Sequence, residues 1–399
     1  MDLAAIQAAL REMRLDGWLF YDHHHRDPIA YRVLGINPPM CTRRWYYMIP
    51  ASGDPSKLVH RIESGKLDGL PGARHEYSSW REQRERLREI LRGSKNLAMQ
   101  YSALNDIPYV GLVDAGTVEL VESFGVQVVS SADLVQLFEA RWPAEALALH
   151  LEAGKVVHAA IREGFEAIAQ AVRRGREISE YQIQQVIAEA LAAGDVEADE
   201  PAIVAVNANC SNPHYSPTPE TSQPIKPDDF VLLDVFGKKR APGAVYFDIT
   251  WTGFVGEDVP QRYAKVFAVV KEARDRAVDL VQTAMRQGRA LAGWEVDDVA
   301  RGVINRHGYG DYFVHRTGHS IGEDVHGNGA NMDNFETRDT RRIIPRTCFS
   351  VEPGIYLPEF GVRSEVDVYV DDHDARVTGE MQQAVVPILA EAEAGSWVA

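Results

Sequence analysis

The stretch from Val314 to Asp367 is the part of the sequence that most limits how the chain can fold. It contains three histidines, and two of its glutamates, Glu352 and Glu365, stand in short segments rich in β-branched residues. Glycines stand beside several of these residues and let the backbone approach its neighbours closely. Histidine and carboxylate side chains are typical metal ligands. The stretch therefore predicts a metal site built on the strands of a sheet.

Composition and charge narrow the class of protein and the kind of partner. The chain has 399 residues, which is long for one ordinary domain and predicts two or three. Its hydrophobic fraction of 45% and charged fraction of 25% are typical of a soluble globular protein. The formal net charge of -16 argues against binding to nucleic acid or to an acidic membrane, because both attract positive surfaces. Small or peptide-like ligands fit this charge better.

The apolar segments and the cysteines indicate the cellular compartment in which we expect the protein. No apolar run approaches the roughly 20 residues of a membrane-spanning helix, and the first residues lack the basic start of a secretory signal. The three cysteines, Cys41, Cys210 and Cys348, lie far apart without metal-type spacing. Such cysteines fit a reducing compartment. We therefore expect a cytoplasmic protein without a disulfide framework.

Helical and strand-like patterns divide the chain near residue 140. Before that point, amphipathic and apolar segments alternate and predict a small α/β domain over residues 1–140. The sequence Arg141-Trp142-Pro143 marks the boundary, because proline favours the first turn of a helix. Over residues 144–399, helices come in pairs and strands in hairpins, which predicts an α+β domain rather than a doubly wound sheet.

A histidine tract, His23-His24-His25, comes where the first predicted strand should end and so belongs to a loop at the edge of the sheet. Adjacent histidines most often form a solvated turn. A loop that contacts substrate and a bound metal are the alternatives.

Two aspartates outside the opening stretch can join its metal site. Asp234 ends a strongly apolar predicted strand and Asp248 lies in the next, so a hairpin can bring both carboxylates together. A buried carboxylate without a partner is costly, so cations or metal ions are expected beside them. On the last predicted strand, alternation places Arg363, Glu365 and Asp367 on one face. Glu365 would then have a counter-charge beside it.

The charge of these groups indicates how many ions they hold. Four carboxylates and one imidazole carry more negative charge than one divalent ion usually neutralises, which favours two ions sharing bridging carboxylates. The mixed oxygen and nitrogen ligands suit Mn, Co, Zn or Fe(II). Such a pair of ions activates water and polarises a carbonyl group, the chemistry of metal-assisted hydrolysis. Each acid could instead form an ordinary ion pair, but five groups in one ordered pattern favour the metal site.

These residues resemble a known family. Their order and local sequences are similar to those of the metallopeptidases that include methionine aminopeptidase, aminopeptidase P and prolidase. The matching segments are Phe247-Asp248-Ile249-Thr250, Thr317-Gly318-His319-Ser320-Ile321-Gly322, Val351-Glu352-Pro353-Gly354 and Gly361-Val362-Arg363-Ser364-Glu365. This M24-type resemblance covers residues 144–399 and implies a pita-bread catalytic domain. Residues 1–140 resemble the creatinase-type amino-terminal domain of prolidases and aminopeptidase P.

The resemblance implies a role for each residue. The metal ligands would be Asp234, Asp248, His319, Glu352 and Glu365. They would bind two divalent ions per subunit, with manganese the expected metal and cobalt, zinc or iron the alternatives. Glu352 would also take a proton from the water that bridges the metals. The other site residues would be His214, facing the scissile nitrogen, His326, steadying the substrate carbonyl, His315, lining the substrate pocket, and Arg363, orienting Glu365 or contacting the substrate.

Some positions differ from the family pattern. Asp234 and Asp248 lie further apart than the family's first two ligands usually do, so the hairpin between them is enlarged. Residues 238–240, two lysines and an arginine, would form a solvated loop tip or contact the carboxylate of a dipeptide. Trp251 stands where the family commonly has arginine. Metal binding should survive these differences, whereas substrate preference depends on them.

Chain length resembles that of a bacterial prolidase, which hydrolyses Xaa-Pro dipeptides, more than that of methionine aminopeptidase, which has little or no first domain. The resemblance therefore implies a small peptide substrate with proline at its second position, and a homodimer. Aminopeptidase P activity on longer Xaa-Pro-Yaa peptides is the main alternative. A creatinase-like enzyme that works without metal and a catalytically silent binding protein are the others.

Overall fold

The structure is a computed structural model that describes residues 1–37 and 40–390. The chain divides into two compact units, the first being Met1–Ala140 and the second beginning at Arg141. Each unit has hydrophobic cores of its own. Within the described ranges, every helix is too short or too polar to span a membrane.

The first unit is a six-stranded sheet with helices on both faces. Its strands are Gly17–Asp22 (β1), Trp45–Pro50 (β2), Ser56–His60 (β3), Ala73–Tyr77 (β4), Asn96–Met99 (β5) and Gln127–Ser130 (β6), in the spatial order β4-β3-β2-β1-β5-β6. Its helices are Leu3–Glu12 (α1), Pro28–Leu34 (α2), Trp80–Ile90 (α3), Ala115–Glu122 (α4) and Ala132–Val135 (α5). Strands β2 and β3 pair antiparallel.

Local signals set several boundaries in this unit. Helix α3 begins at a capping box, in which Ser79 Oγ accepts from Glu82 N and the Glu82 carboxylate accepts from Ser79 N. Helix α2 ends at Gly35, whose φ of 65° suits glycine. The histidine tract follows β1 in a loop, as predicted, and the Asp22 carboxylate accepts from the amide of His25.

The second unit places two helix pairs against sheets. Its helices are Ala144–Arg173 (α6), Glu180–Ala193 (α7), Gln261–Arg286 (α8) and Gly293–Arg306 (α9). Its strands are Val196–Glu197 (β7), Ile203–Val206 (β8), Phe230–Lys239 (β9), Phe247–Phe254 (β10), Ser320–Ile321 (β11), Cys348–Val351 (β12), Gly354–Tyr356 (β13), Gly361–Arg363 (β14), Val366–Val370 (β15), Ala375–Val377 (β16) and Val386–Pro387 (β17).

The strands of the second unit form three sheets. A five-stranded sheet has the order β17-β10-β9-β7, with β8 also paired to β9, and a four-stranded sheet has the order β11-β12-β15-β16. Strands β13 and β14 form a separate hairpin. Helices α6 and α7 share a core with the five-stranded sheet, whereas α8 and α9 share a second core with strands of both larger sheets and of the β13–β14 hairpin. Paired helices and antiparallel hairpins confirm the α+β class.

Two predictions about strands are wrong. Residues 362–370 do not form one strand, because β14 pairs with β13 while β15 pairs with β12, and the chain changes sheets at Ser364 and Glu365. Alternation along one strand therefore does not place Arg363, Glu365 and Asp367 on a common face. Residues 238 and 239 are not a loop tip, since both lysines belong to β9 and pair with β7.

Candidate metal centre

Strands β9 and β10 bring the two predicted aspartates together. Their register pairs Asp234 with Thr250 and Asp248 with Phe236. Asp234 and Asp248 are therefore diagonal neighbours on one face of the hairpin. The predicted hairpin is confirmed, and both residues are buried, Asp234 being 8% and Asp248 5% exposed.

The other three predicted ligands come from the four-stranded sheet. His319 directly precedes β11, Glu352 directly follows β12, and Glu365 directly precedes β15. A Cβ at Gly318 would lie 1.9 Å from Ser350 O, so only glycine allows this segment to approach β12 so closely. Ser350 Oγ accepts from His319 N at 3.0 Å and donates to Glu352 Oε1 at 3.2 Å, which holds both ligands.

The donor atoms converge on one small volume. Ligand atoms of Asp248, His319 and Glu365 all lie within 4.8 Å of one another. His319 Nε2 is 3.5 Å from Asp248 Oδ2 and 3.4 Å from Glu352 Oε1. Among the described residues, the buried Oδ1 atoms of Asp234 and Asp248 have no hydrogen-bond partner. Ionised carboxylate oxygens that are buried without partners are costly, and a cation beside them would lower that cost. This donor set fits divalent metal ions.

Burial controls the protonation of the group. It raises the pKa of Asp248 well above its usual value, and the Glu365 carboxylate adds to the shift. It also raises the pKa of Glu365, and that of Glu352 to about 7. Burial lowers the pKa of the His319 imidazole well below its usual value. The acids cannot all ionise together unless positive charge is added, which a metal ion would supply.

Arg363 supplies one counter-charge. Its guanidinium is 3% exposed and donates to Asp234 Oδ2, to Thr250 Oγ1 at 3.0 Å and to the Tyr356 hydroxyl at 3.2 Å. Thr250 Oγ1 in turn donates to Glu365 Oε2 at 2.7 Å. Arg363 therefore lies against Asp234 and connects to Glu365 through one hydroxyl group.

The other predicted histidines lie around this group. The His326 and His319 ring centroids are 4.2 Å apart, and partial burial lowers the pKa of His326 to about 4. His214 is exposed and close enough to contribute to that shift. His315 Nε2 shares a 2.6 Å hydrogen bond with the Tyr356 hydroxyl, and burial lowers the pKa of His315 to about 3. At neutral pH the rings of His315, His319 and His326 are therefore neutral imidazoles.

Three hydroxyl groups that support the site were not predicted from the sequence. Ser350 and Thr250 form hydrogen bonds with predicted ligands, and Tyr356 forms them with His315 and Arg363. The first two stand in or beside the matched segments, so a hydroxyl group near a ligand was an available signal. No motif indicated that Tyr356 would link His315 to Arg363.

Asp367 also has a role that its sequence position did not reveal. Its Oδ2 accepts from Asp248 N at 2.8 Å, and its side chain is buried. The acid therefore holds the backbone of a predicted ligand.

The cations of residues 238–240 are engaged by the protein itself. Lys238 Nζ and Lys239 Nζ each donate to a backbone carbonyl, at 2.6 and 2.7 Å. Arg240 Nε is 3.6 Å from the Glu197 carboxylate. These contacts support neither a freely solvated loop nor a site for a peptide carboxylate.

Comparison with known proteins identifies the family. Residues 148–372 match the model of metallopeptidase family M24. The chain belongs to this family. The match spans every predicted ligand of the candidate centre, and it confirms the M24-type resemblance seen in the sequence.

Curated M24 relatives match part of the chain. An Xaa-Pro dipeptidase of Lactobacillus delbrueckii subsp. lactis is 31% identical over 217 residues, 54% of this chain and 53% of the relative. A putative Xaa-Pro aminopeptidase of Mycoplasma pneumoniae is 34% identical over 177 residues, 43% of this chain and 44% of the relative. The matched part spans about half the length of these relatives.

Solved structures match the M24 chain over most of its length. Dipeptidase PepE from Mycobacterium ulcerans has a TM-score of 0.69 at 24% identity and covers 96% of each chain. Prolidase from Thermococcus sibiricus has a TM-score of 0.64 at 22% identity, covering 96% of this chain and 97% of that one. These likenesses confirm the pita-bread fold with a domain before it.

Proposed function

We propose that this M24 protein is a metal-dependent peptidase that hydrolyses Xaa-Pro dipeptides. The observation that carries the proposal is the group of Asp248, His319 and Glu365, whose ligand atoms lie within 4.8 Å of one another. Relatives named Xaa-Pro dipeptidase and solved prolidases support the substrate class.

The proposed metal ligands are Asp234, Asp248, His319, Glu352 and Glu365, which would hold two divalent ions per subunit. Manganese is the first metal to test, followed by cobalt, zinc and iron. Bound ions would activate water and polarise the scissile carbonyl. The side chains of the protein would hold the ions in place and would transfer the protons.

Glu352 is the group that we propose transfers the proton from the attacking water to the leaving nitrogen. Its Oε1 accepts from Ser350 Oγ at 3.2 Å and lies 3.4 Å from His319 Nε2. These contacts fix one oxygen and leave Oε2 to accept a proton from the attacking water. The carboxyl can then return that proton to the leaving nitrogen.

Three histidines and an arginine would position the substrate. His326 lies beside His319, and its neutral ring can donate to the substrate carbonyl oxygen. His214 would face the scissile nitrogen. His315, fixed by Tyr356, would line the pocket, while Arg363 would balance the charge of Asp234.

Metal analysis coupled to a peptide panel tests this function. The purified protein is analysed for transition metals and assayed with Ala-Pro, Leu-Pro, Ala-Pro-Ala and, as a control, Ala-Ala. We expect bound metal, hydrolysis of the Xaa-Pro dipeptides, loss of activity with a chelator and its recovery with Mn. Only trace metal, together with no hydrolysis after addition of Mn, Co or Zn, would remove the peptidase proposal.

Aminopeptidase P activity is the second candidate, because some relatives and neighbours are named Xaa-Pro aminopeptidases. Faster hydrolysis of Ala-Pro-Ala than of Ala-Pro would select it. Activity indifferent to chelators would select the metal-free, creatinase-like alternative. The homodimer and the cytoplasmic location stay predictions, and light scattering would test the first.

A further inference from the structure

The first unit contains a cavity of about 810 Å³ whose lining comes entirely from that unit. The charged residues that line it are Arg26, Arg43, Arg44, Arg84 and Asp114. We call it the arginine cavity. Ligand-binding pockets in proteins commonly have volumes of about 300–1,000 Å³, so a small molecule fits this one.

Sheet topology brings these arginines together from separate parts of the sequence. Strand β1 runs antiparallel to β2, so Arg26 after the end of β1 lies near Arg43 and Arg44 before the start of β2. Strand β3 is antiparallel to β2 and parallel to β4. The carboxyl ends of β3 and β4 therefore lie at the same edge of the sheet as the start of β2. Helix α3 follows β4 and adds Arg84.

The lining of the cavity carries more positive than negative charge. Four arginines face one aspartate, in a chain whose formal net charge is -16. Among the described residues, none of these arginines has a carboxylate within ion-pair distance. Asp114 is occupied elsewhere, because its carboxylate accepts from Thr117 N and Oγ1 at 2.9 and 2.8 Å.

The positive charge of the arginines affects the pKa of a neighbouring histidine, His23. His23 also lines the cavity. Burial lowers the pKa of His23, and the charges of Arg26 and Arg44 lower it further. A region that disfavours a further cation favours an anion.

Aromatic side chains give the cavity a second property. Tyr21, Tyr77 and Trp80 line it beside the arginines. Trp80 is 53% exposed, and the guanidinium carbons of Arg81 and Arg84 lie 4.7 and 5.1 Å from its ring centroid. The exposed part of this indole can contact a planar ligand ring.

We propose that the arginine cavity binds a small organic anion that joins a phosphate or carboxylate group to a planar ring. Guanidinium groups recognise both kinds of anion through paired hydrogen bonds, and the aromatic residues receive the ring. The remaining negative charge of the chain opposes a long polyanion such as nucleic acid. This site does not depend on the proposed peptidase function.

Calorimetric titration of the full-length, metal-loaded protein tests the proposal. The probes are AMP, which joins phosphate to a ring, indole-3-acetate, which joins carboxylate to a ring, and adenosine, which has the ring without the anion. We expect AMP or indole-3-acetate to bind, the stronger of the two identifying the anion, and adenosine to bind at least about tenfold more weakly.

Variants then locate the binding. Arg44→Gln should weaken binding of the anion about tenfold, and the exposed Arg84→Gln provides the same test if the half-buried Arg44 is needed for folding. The matched control is Arg88→Gln, on the same helix but outside the lining, which should bind as wild type does. The proposal is overturned if neither anion binds, if adenosine binds equally well, or if the control weakens binding as much as the cavity variants.

Discussion

The two units contain charged clusters of opposite sign that are built in different ways. In the candidate metal centre the acids are largely buried, Glu365 being 3% exposed, and some of their oxygens lack a hydrogen-bond partner within residues 1–37 and 40–390. In the arginine cavity, Arg26, Arg43 and Arg84 are exposed and only Arg44 is half-buried. Water solvates exposed charge at little cost, whereas buried charge needs a counter-charge. The metal centre should therefore depend on its ion, while the arginine cavity should be stable without a ligand.

The largest expected effect comes from neutralising one acid of the metal centre. Glu352→Gln should lower kcat on Xaa-Pro dipeptides by about 10²–10⁴-fold, because the amide cannot accept the proton. Circular dichroism should show an intact fold. Glu359→Gln, an exposed position nearby, serves as the control and should keep its activity. A Glu352→Gln enzyme with wild-type kcat would end the assignment of the proton to this residue.

A buried histidine of the second unit, His158, provides a test of how burial disfavours the charged form of a side chain. His158 is buried, with 7% of its surface exposed. Its Nε2 accepts from Glu380 N at 3.1 Å. Burial lowers the pKa of His158 to about 4, and Arg162 on the same helix adds to the shift.

This pKa sets the sign of a pH dependence. Above pH 6.5 the ring is neutral in both states, and between pH 6.5 and 4 only the unfolded chain gains the proton. The stability contribution is therefore complete above pH 6.5 and falls by about 3 kcal/mol as the pH approaches 4. Urea unfolding of His158→Gln should show a correspondingly smaller loss than wild type over this range. The exposed control His373→Gln should follow wild type, and a His158→Gln curve parallel to wild type would contradict the prediction.

Variants of Asp367 test whether metal binding needs the hydrogen bond that Asp367 accepts from Asp248 N. Asp367→Ala removes the acceptor for Asp248 N and should weaken metal binding by about 10–100-fold, measured by competition with a chelator. Asp367→Asn keeps an acceptor oxygen and should recover most of the affinity. Asp372→Ala, at an exposed position, is the control. Equal affinities for Asp367→Ala and wild type would show that the hydrogen bond does not position the ligand.

The smallest effect is expected at residues 238–240, positive groups near the acidic centre. Replacing all three residues with glutamine should leave KM for dipeptides within about twofold, because the lysines donate to backbone carbonyls. Loss of these bonds should lower stability by about 1–2 kcal/mol. A large rise in KM would restore the interpretation that these groups bind the substrate carboxylate.

The candidate ligands could be selected from the sequence because each stands in a short local pattern. His319 lies between glycines and small residues, and Glu352 precedes Pro353-Gly354. The hairpin that joins Asp234 to Asp248 also follows from two neighbouring apolar segments. Their assignment as ligands stays a prediction until metal is measured.

Contacts between distant segments were not predictable. Arg363 pairs with Asp234 through the packing of separate sheets, and no pattern in either segment encodes that distance. The two-residue strand β7 is too short to show the alternation of apolar and polar residues that indicates a strand. Its pairing with Lys238 and Lys239 was therefore not visible, and the sequence of these lysines resembled that of a loop. The arginine cavity likewise exists only because the strand order brings Arg26 and Arg44 to one edge.

The change of sheets at Glu365 has a consequence for how the second unit unfolds. Glu365 N donates to Thr250 O in β10 at 3.3 Å, and the next residue begins β15 in the other sheet. The candidate ligands likewise come from both sheets, so an ion bound to them would tie the two sheets into one cooperative unit. Hydrogen exchange in β10 and β15 should then slow together when metal is added, even though the strands belong to different sheets.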